Sequence, residues 1–199
     1  VLTGNQTGML LAHYMLKSLS DRNELPKNSA VIKTIVTTEG VRKIVESFGA
    51  ELIDTLTGFK YIGEYIHKFE LENSYEYVFG MEESYGCLPG TYARDKDAVV
   101  ASMLICEMAA SLKNEGKTIL DALNDLYESY GQFLSKVQSI ELCGADAMEK
   151  AAQMMARLRE NAPECIGGAQ VTLVRDYKAR IERNVHTGEV TPIALPFSL

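Results

Sequence analysis

Two adjacent glutamates and a serine directly follow an apolar segment, in the order F-G-M-E-E-S-Y-G over residues 79–86. Glutamate is a poor turn former, so a pair of glutamates is costly for a simple turn. In an extended chain the side chains of Glu82 and Ser84 point the same way, and a carboxylate with a hydroxyl can bind the vicinal hydroxyls of a sugar. The segment is therefore a candidate sugar-binding loop, and a solvated acidic loop is the alternative.

A second segment, T-L-T-G-F-K at residues 55–60, combines small polar residues with a lysine. Thr57 and Gly58 precede a predicted helix, whose first backbone amides are unpaired donors that suit an oxyanion or a sugar oxygen. Lys60 would lie in the first turn of that helix. In the alternative interpretation Thr57 is only a helix cap, Gly58 is a tight-turn residue and Lys60 is solvated.

A third segment, A-R-D-K-D at residues 93–97, stands at the start of another predicted helix. Asp95 or Asp97 is suited to cap that helix and to offset its dipole. Arg94 and Lys96 would then lie beside unpaired amides, an arrangement that favours a phosphate group. An ordinary charged helix entrance is the alternative.

The other common chemistries find little support. Residues 4–8 lack the glycine and lysine spacing of dinucleotide and P-loop sites, and neither a Ser/His/Asp nor an H-E-x-x-H spacing occurs. The three histidines are therefore predicted to be structural or solvated. Four cysteines are too scattered for a zinc site or a redox pair, and Cys106 is predicted to be buried. We expect no metal ligands in this chain and a reducing, cytoplasmic compartment.

The composition limits the partners of the chain. Its 199 residues include 20 Lys and Arg against 27 Asp and Glu, and this net charge of -7 disfavours nucleic acid and anionic membrane surfaces. The longest nearly apolar run, residues 98–106, is too short to cross a bilayer, which takes about 20 residues. Neither nucleic acid nor a membrane is therefore an expected partner.

Hydrophobic periodicity indicates how these segments are positioned. It predicts a helix over residues 8–19, then a β-α-β-α-β order, a loop at 86–91 and two more helices. Strands alternating with helices predict an α/β fold whose parallel or mixed sheet has helices on both faces, with ligands at the carboxyl ends of its strands. The predicted strands are 30–36, 51–54 and 77–81, and the predicted helices after the first are 41–48, 58–69, 98–112 and 120–130. The helix at 98–112 is apolar nearly all round, so we expect it to be sandwiched between other elements.

The pattern changes after residue 130. Residues 1–130 hold 12 basic and 19 acidic side chains, whereas residues 131–199 hold eight of each. We therefore expect an α/β domain over 1–130 and a partial α+β unit over 131–199, and the start at Val1 suggests a piece of a longer protein. The second unit is predicted to hold a half-exposed strand at 133–142, an amphipathic helix at 145–158 with its methionines in the core, a strand at 169–174 and a loop at 175–199.

Four segments taken in order resemble the third domain of the α-D-phosphohexomutases of the phosphoglucomutase and phosphomannomutase type. Residues 131–180 resemble the beginning of the fourth domain of that family. The four segments are L-T-G-N-Q-T-G-M-L-L at 2–11, T-G-F-K-Y-I-G at 57–63, F-G-M-E-E-S-Y-G at 79–86 and R-D-K-D-A at 94–98.

The resemblance implies an isomerase that interconverts hexose 1-phosphate and hexose 6-phosphate through a phosphoserine and a bisphosphate intermediate, glucose 1,6-bisphosphate. It implies that Glu82 and Ser84 hold sugar hydroxyls. The other substrate contacts that it implies are Thr57, Gly58 and Lys96, with Lys60 and Arg94 as weaker assignments.

The sequence also departs from the family. It contains neither the T-A-S-H-N-P serine loop, nor the D-x-D-x-D-R loop that binds Mg²⁺, nor the R-P-S-G-T-E-P phosphate loop. We therefore expect this fragment to be inactive alone and its parent, with the missing N-terminal domains and their Mg²⁺, to be the enzyme. Two alternatives are a non-catalytic module that binds a sugar phosphate or a protein, and an unrelated nucleotide-binding α/β enzyme.

Overall fold

The computed structural model describes residues 1–136 and 139–193 and divides the chain into two compact units. Unit 1 comprises Val1–Lys136 and unit 2 comprises Val137–Leu199. The residues that sequence analysis selected for chemistry all lie in unit 1. Within the described ranges, no helix is both long and apolar enough to span a membrane.

Unit 1 is built on a four-stranded mixed sheet. Its elements are α1 (Gly4–Asp21), β1 (Ser29–Thr34), α2 (Gly40–Ser47), β2 (Glu51–Thr55), α3 (Phe59–Glu72), β3 (Glu76–Met81), β4 (Cys87–Pro89), α4 (Ala98–Asn114) and α5 (Ile119–Tyr130). The strand order in the sheet is β2-β1-β3-β4. Strands β1, β2 and β3 run parallel, and β4 pairs with β3 in the antiparallel direction. The predicted α/β fold and the β-α-β-α-β order are confirmed.

Helices cover both faces of this sheet. Strand β1 shows why, because all six of its residues are buried and successive side chains alternate between the two faces. Val31 joins the larger apolar cluster with α1, α2, α4 and α5, whereas Ala30 and Ile32 join a second cluster with α3. The three parallel strands therefore end side by side in a sheet that is packed by helices on both faces.

Three expectations for unit 1 are wrong. The predicted loop at 86–91 contains β4, a strand of three residues that is too short to carry an apolar pattern. Helix α4 is not sandwiched, because it buries only Leu104 and Met108 while the exposed fraction of Met103 is 65%. Cys106 lies on the same open face of α4 and is exposed rather than buried.

Unit 2 differs more from its prediction. The described parts of 133–142 form no strand, and residues 175–193 form most of a three-stranded antiparallel sheet rather than a loop. Backbone hydrogen bonds across short hairpins build this sheet, so it needs no apolar run. The predicted helix at 145–158 is present but buries no residue, and the methionines expected in the core include Met148 with an exposed fraction of 88%. The elements are α6 (Ala147–Glu160), β5 (Cys165–Ile166), β6 (Ala169–Gln170), β7 (Leu173–Asp176), β8 (Ile181–Asn184) and β9 (Val190–Pro192).

The remaining predictions for unit 2 have a mixed outcome. The predicted strand at 169–174 is divided between β6 and β7, which belong to two different sheets. The last part of the predicted loop, residues 194–199, lies outside the described residues.

Candidate functional site

The candidate loops all leave the sheet at one edge. Strands β1, β2 and β3 are parallel and end at Thr34, Thr55 and Met81, so the segments that follow them emerge on the same side. Strand β1 lies between β2 and β3, and neighbouring strands are about 4.8 Å apart. The loops after β2 and β3 therefore start about 10 Å from each other, a spacing that one sugar phosphate can bridge.

Glu82 and Lys96 form the centre of the candidate site. The residue Glu82 is only 7% exposed, and its Oε2 accepts a hydrogen bond of 3.0 Å from Nζ of Lys96. The Lys96 side chain is half-exposed, and its hydrogen bond to Glu82 together with the attraction of that carboxylate raises its pKa. Within the described part of the chain, Oε1 of Glu82 accepts no hydrogen bond, so it can accept one from a ligand hydroxyl.

The loop that carries Glu82 is a tight connection between β3 and β4. The amide of Glu82 donates to the carbonyl oxygen of Gly86 at 2.8 Å, and the strands pair from Met81 and Cys87 onward. A Cβ at Gly86 would lie 2.7 Å from Oε2 of Glu82 and 2.9 Å from Cδ of Lys96. A side chain at this position would therefore have to displace the ion pair.

Ser84 occupies the exposed tip of the same loop. Glu83 and Ser84 form a turn, so the segment is not the extended chain that sequence analysis assumed. That assumption is wrong because the connection from β3 to the antiparallel β4 must reverse direction within five residues. The buried Glu82 carboxylate and the exposed Ser84 hydroxyl therefore owe their positions to the turn and not to strand alternation.

The segment before α4 positions Lys96. Asp97 caps the helix as predicted, with its Oδ1 accepting from the amides of Val99 at 2.9 Å and Val100 at 3.2 Å. The bond from Val100 is the largest cause of the lowered pKa of Asp97. The Asp97 amide also donates to the carbonyl of Cys87, which ties this segment to β4 beside the Glu82 loop.

Arg94 is used differently from Lys96. Its guanidinium binds both carboxylate oxygens of Glu70 on α3, at 2.6 and 2.7 Å, and it also donates to the carbonyl of Thr91. A Cβ at Gly63 of α3 would overlap the carbonyl oxygen of Arg94. The structure therefore joins Arg94 to α3 and does not bring it to the pair of Glu82 and Lys96.

The segment after β2 lies at the same edge of the sheet, but Thr57 and Gly58 have different roles from those that the sequence predicts. Gly58, and not Thr57, is the residue before α3, and its φ of 119° is one that glycine adopts without strain. The interpretation of Thr57 as the helix cap is therefore wrong, and its side chain is exposed. Lys60 places its ammonium 4.6 Å from the centre of the Tyr61 ring, a cation–π contact.

Sequence analysis missed a cluster of charged residues beside these loops. Lys33, at the carboxyl end of β1, has no exposed surface, and its Nζ lies 2.8 Å from Glu39 and 2.7 Å from Asp54. Arg42 bridges the same two carboxylates at 2.7 and 2.6 Å. We call Lys33, Glu39, Arg42 and Asp54 the charge cluster. The signal in the sequence was a lysine within the predicted strand A-V-I-K-T-I-V, whose other residues are apolar or β-branched.

The charge cluster also fixes the loop after β1. Nζ of Lys33 donates to the carbonyl oxygens of Thr37 at 3.2 Å and Thr34 at 3.4 Å. Burial raises the pKa of the Glu39 carboxyl, but its hydrogen bonds to Lys33 and Arg42 outweigh this effect, and the pKa is lowered. The buried ammonium donates to Glu39 and to two backbone carbonyls and lies beside the Asp54 carboxylate, and these contacts hold the backbone between β1 and α2 in place.

Comparison with known proteins identifies the class. The family model described as phosphoglucomutase/phosphomannomutase, alpha/beta/alpha domain III, matches residues 3–130. The phosphoglucomutase of Staphylococcus haemolyticus is 35% identical over 181 residues, which are 91% of this chain and 32% of that protein. That of Staphylococcus epidermidis is 33% identical over 193 residues, 97% of this chain and 34% of that protein. The chain belongs to the phosphoglucomutase/phosphomannomutase family.

Solved structures support the fold. A phosphoglucomutase from Paramecium, the exocytosis-sensitive phosphoprotein pp63/parafusin in an open form, gives a TM-score of 0.55 at 17% identity over 96% of this chain and 31% of its own. A putative phosphomannomutase from Thermus thermophilus gives 0.50 at 22% identity over 65% of this chain and 26% of its own. The chain spans about a third of the length of the curated relatives that it matches.

The metal that the family resemblance implies finds no site in the described residues. Over residues 1–136 and 139–193, no group of three or more His, Cys, Asp or Glu side chains could hold a metal ion. The carboxylates of the charge cluster are engaged by Lys33 and Arg42, whose positive charges would repel a cation. These residues do not fit Mg²⁺, so no chemical step through it is assigned to this chain.

Proposed function

We propose that this chain is the sugar-binding part of a phosphohexomutase that interconverts hexose 1-phosphate and hexose 6-phosphate. In the proposed reaction the phosphoryl group passes through a phosphoserine and a bisphosphate, glucose 1,6-bisphosphate. The observation that carries the proposal is a buried carboxylate, Glu82, paired with the half-exposed Lys96 at the carboxyl edge of the sheet, in a chain of this family.

The proposed role of this pair is to hold the sugar ring. Oε1 of Glu82 accepts from sugar hydroxyls, and its buried surroundings strengthen those hydrogen bonds. Lys96 offsets the buried negative charge and donates its remaining protons to a phosphate or sugar oxygen. The exposed Ser84 hydroxyl adds a donor and acceptor at the loop tip, and Thr57 with Gly58 borders the other side.

The separation of sugar binding from phosphoryl transfer suits a reaction that passes through a bisphosphate. The intermediate must present each of its ends in turn to one phosphoserine, so a site that grips the middle of the sugar serves both orientations. The phosphoryl transfer itself is assigned to other segments of the complete protein, because this sequence lacks the serine loop of the family.

Replacing Glu82 with glutamine in the complete protein tests the proposal. The substitution keeps the size of the side chain but removes the charge that strengthens its hydrogen bonds, which are worth about 1.5–3 kcal/mol each. We expect kcat/KM for the conversion of glucose 1-phosphate to fall about 10–100-fold, as measured by a coupled assay of glucose 6-phosphate formation.

The matched control is Glu128→Gln, which neutralises an exposed glutamate on α5 and should leave kcat/KM unchanged. Unchanged kinetics for Glu82→Gln would remove Glu82 from the site. A complete protein that binds hexose phosphates but converts none of them would instead favour a non-catalytic sugar-phosphate-binding module.

A further inference from the structure

Glu83, the second glutamate of the loop, has a different environment from Glu82. Its side chain turns back toward the sheet, where Oε2 accepts a hydrogen bond of 3.2 Å from Oγ1 of Thr34. Thr34 is the last residue of β1 and is fully buried. The carboxylate therefore connects the loop after β3 to the end of the neighbouring strand, across 49 residues of sequence.

The direction of the hydrogen bonds follows from the groups involved. A carboxylate only accepts, so Thr34 must give its single hydroxyl proton to Glu83. Oγ1 of Thr37 lies 2.8 Å from Oγ1 of Thr34 and must then be the donor between the two hydroxyls. The carbonyl of Thr37 is in turn bound by the buried ammonium of Lys33. The hydrogen bonds therefore all run in one direction, from Thr37 through Thr34 to Glu83, and Lys33 holds the Thr37 end.

The loop is also held on its opposite side. The Tyr85 hydroxyl donates to the carbonyl oxygen of Leu2 at 3.0 Å, and a Cβ at Gly4 would overlap the carbonyl oxygen of Glu83. The start of α1 and the end of β1 therefore hold the loop between them. Of these contacts, the one with Thr34 joins two side chains, so a substitution at either end removes it.

We infer that Glu83 is a positioning residue that fixes residues 82–86 through Thr34, so that Glu82 and Ser84 face the sugar. The inference rests on the proposed function and deepens it, because it assigns the two glutamates different tasks. Glu82 binds the ligand, whereas Glu83 acts through the loop backbone and is not expected to touch the sugar.

Amide hydrogen exchange of the 199-residue chain tests the inference without a ligand. The probe is the Glu82 amide, which is bonded to Gly86, and its exchange rate is normalised to that of the Ile32 amide in β1. Thr34→Val and Glu83→Ala each remove the bond to the loop, and we expect each to speed the normalised exchange about tenfold. The double variant should show no further increase, because both changes remove one interaction.

Conservative variants separate positioning from a general loss of stability. Thr34→Ser keeps the donor, so its rate should remain within about twofold of the wild type. Glu83→Gln keeps an acceptor but loses the charge, so its rate should lie between those of the wild type and of Glu83→Ala. The control Ser29→Ala removes a buried hydroxyl from the amino end of β1 and should leave the normalised rate unchanged. A Thr34→Val rate equal to that of Ser29→Ala would overturn the inference. Glu83 is only partly buried, so Glu83→Ala keeps the test informative if Thr34→Val fails to fold.

Binding of glucose 1-phosphate, followed by amide chemical shifts, connects the inference to the proposed function. We expect the affinity to fall about tenfold in Thr34→Val and to return in Thr34→Ser. If the wild-type chain and the complete protein both fail to bind glucose 1-phosphate, the proposed function is wrong, and the exchange experiment still decides whether Glu83 orders the loop. If binding is normal in Thr34→Val, the inference is wrong while the proposed function stands.

Discussion

Replacing Lys33 with methionine should destabilise unit 1 by removing the centre of the charge cluster. Methionine keeps an unbranched apolar stem, so the change is mainly the loss of an ammonium that has no exposed surface. That ammonium contacts the carboxylates of Glu39 and Asp54 and two backbone carbonyls. Its removal leaves these acceptors without their shared donor inside the fold.

The size of the expected destabilisation depends on the contacts that Glu39 and Asp54 keep after Lys33 is replaced. Removing one partner of a buried ion pair costs about 3–5 kcal/mol when the other charge stays buried and unpaired. Here Arg42 still bridges both carboxylates, and the side chains of Glu39 and Asp54 are 56% and 30% exposed. Solvent and Arg42 therefore compensate part of the loss, and we expect the free energy of unfolding to fall by about 2–3 kcal/mol.

Urea denaturation followed by far-ultraviolet circular dichroism measures this change, read from the midpoint at constant slope. The control Lys68→Met removes an exposed lysine whose ammonium lies 3.9 Å from Glu72, and it should change the free energy of unfolding by less than about 0.5 kcal/mol. A loss for Lys33→Met as small as that of the control would refute the reasoning. Adding Asp54→Asn to Lys33→Met should recover part of the loss, because Arg42 then faces one carboxylate instead of two and the charges of the cluster balance again.

Two further predictions concern the stability of unit 1. Burial, assisted by Lys17, lowers the pKa of His13, so the imidazole takes up a proton more readily in the unfolded chain than in the folded one. The free energy of unfolding is therefore highest above about pH 6.5 and decreases as the pH falls below that value. Urea midpoints at about pH 7.5 and pH 5.5 should therefore differ less in His13→Gln than in the wild type, whereas His67→Gln, an exposed control, should behave as the wild type. Gly63→Ala should lower the free energy of unfolding by about 1–3 kcal/mol despite the better helix propensity of alanine, because the new Cβ overlaps the backbone of Arg94. Thermal unfolding checks this against Glu64→Ala on the same helix, and a Gly63→Ala protein as stable as that control would contradict the close contact.

The sequence alone determined the frame of unit 1. Hydrophobic periodicity is a local property, so it was enough to predict the β-α-β-α-β order and the loops at the carboxyl ends of the strands. Helix capping is also local, and it predicted Asp95 or Asp97 as the cap of an apolar helix, of which the structure shows Asp97. The same reasoning failed where strands are short, as in β4 and in the sheet of unit 2, because hairpins built from such short strands carry little periodicity.

Only the tertiary structure decided which charged groups meet. Lys96 lies 14 residues from Glu82, and Arg94 lies 24 residues from Glu70. The strand order β2-β1-β3-β4 brings some of these side chains together and gives others different partners. A residue type shows that a charge is present, but its partner and burial depend on which strands become neighbours. For this reason a lysine in an apolar strand proved to be the centre of the charge cluster. One of two adjacent glutamates turned toward Lys96, while the other turned toward the sheet.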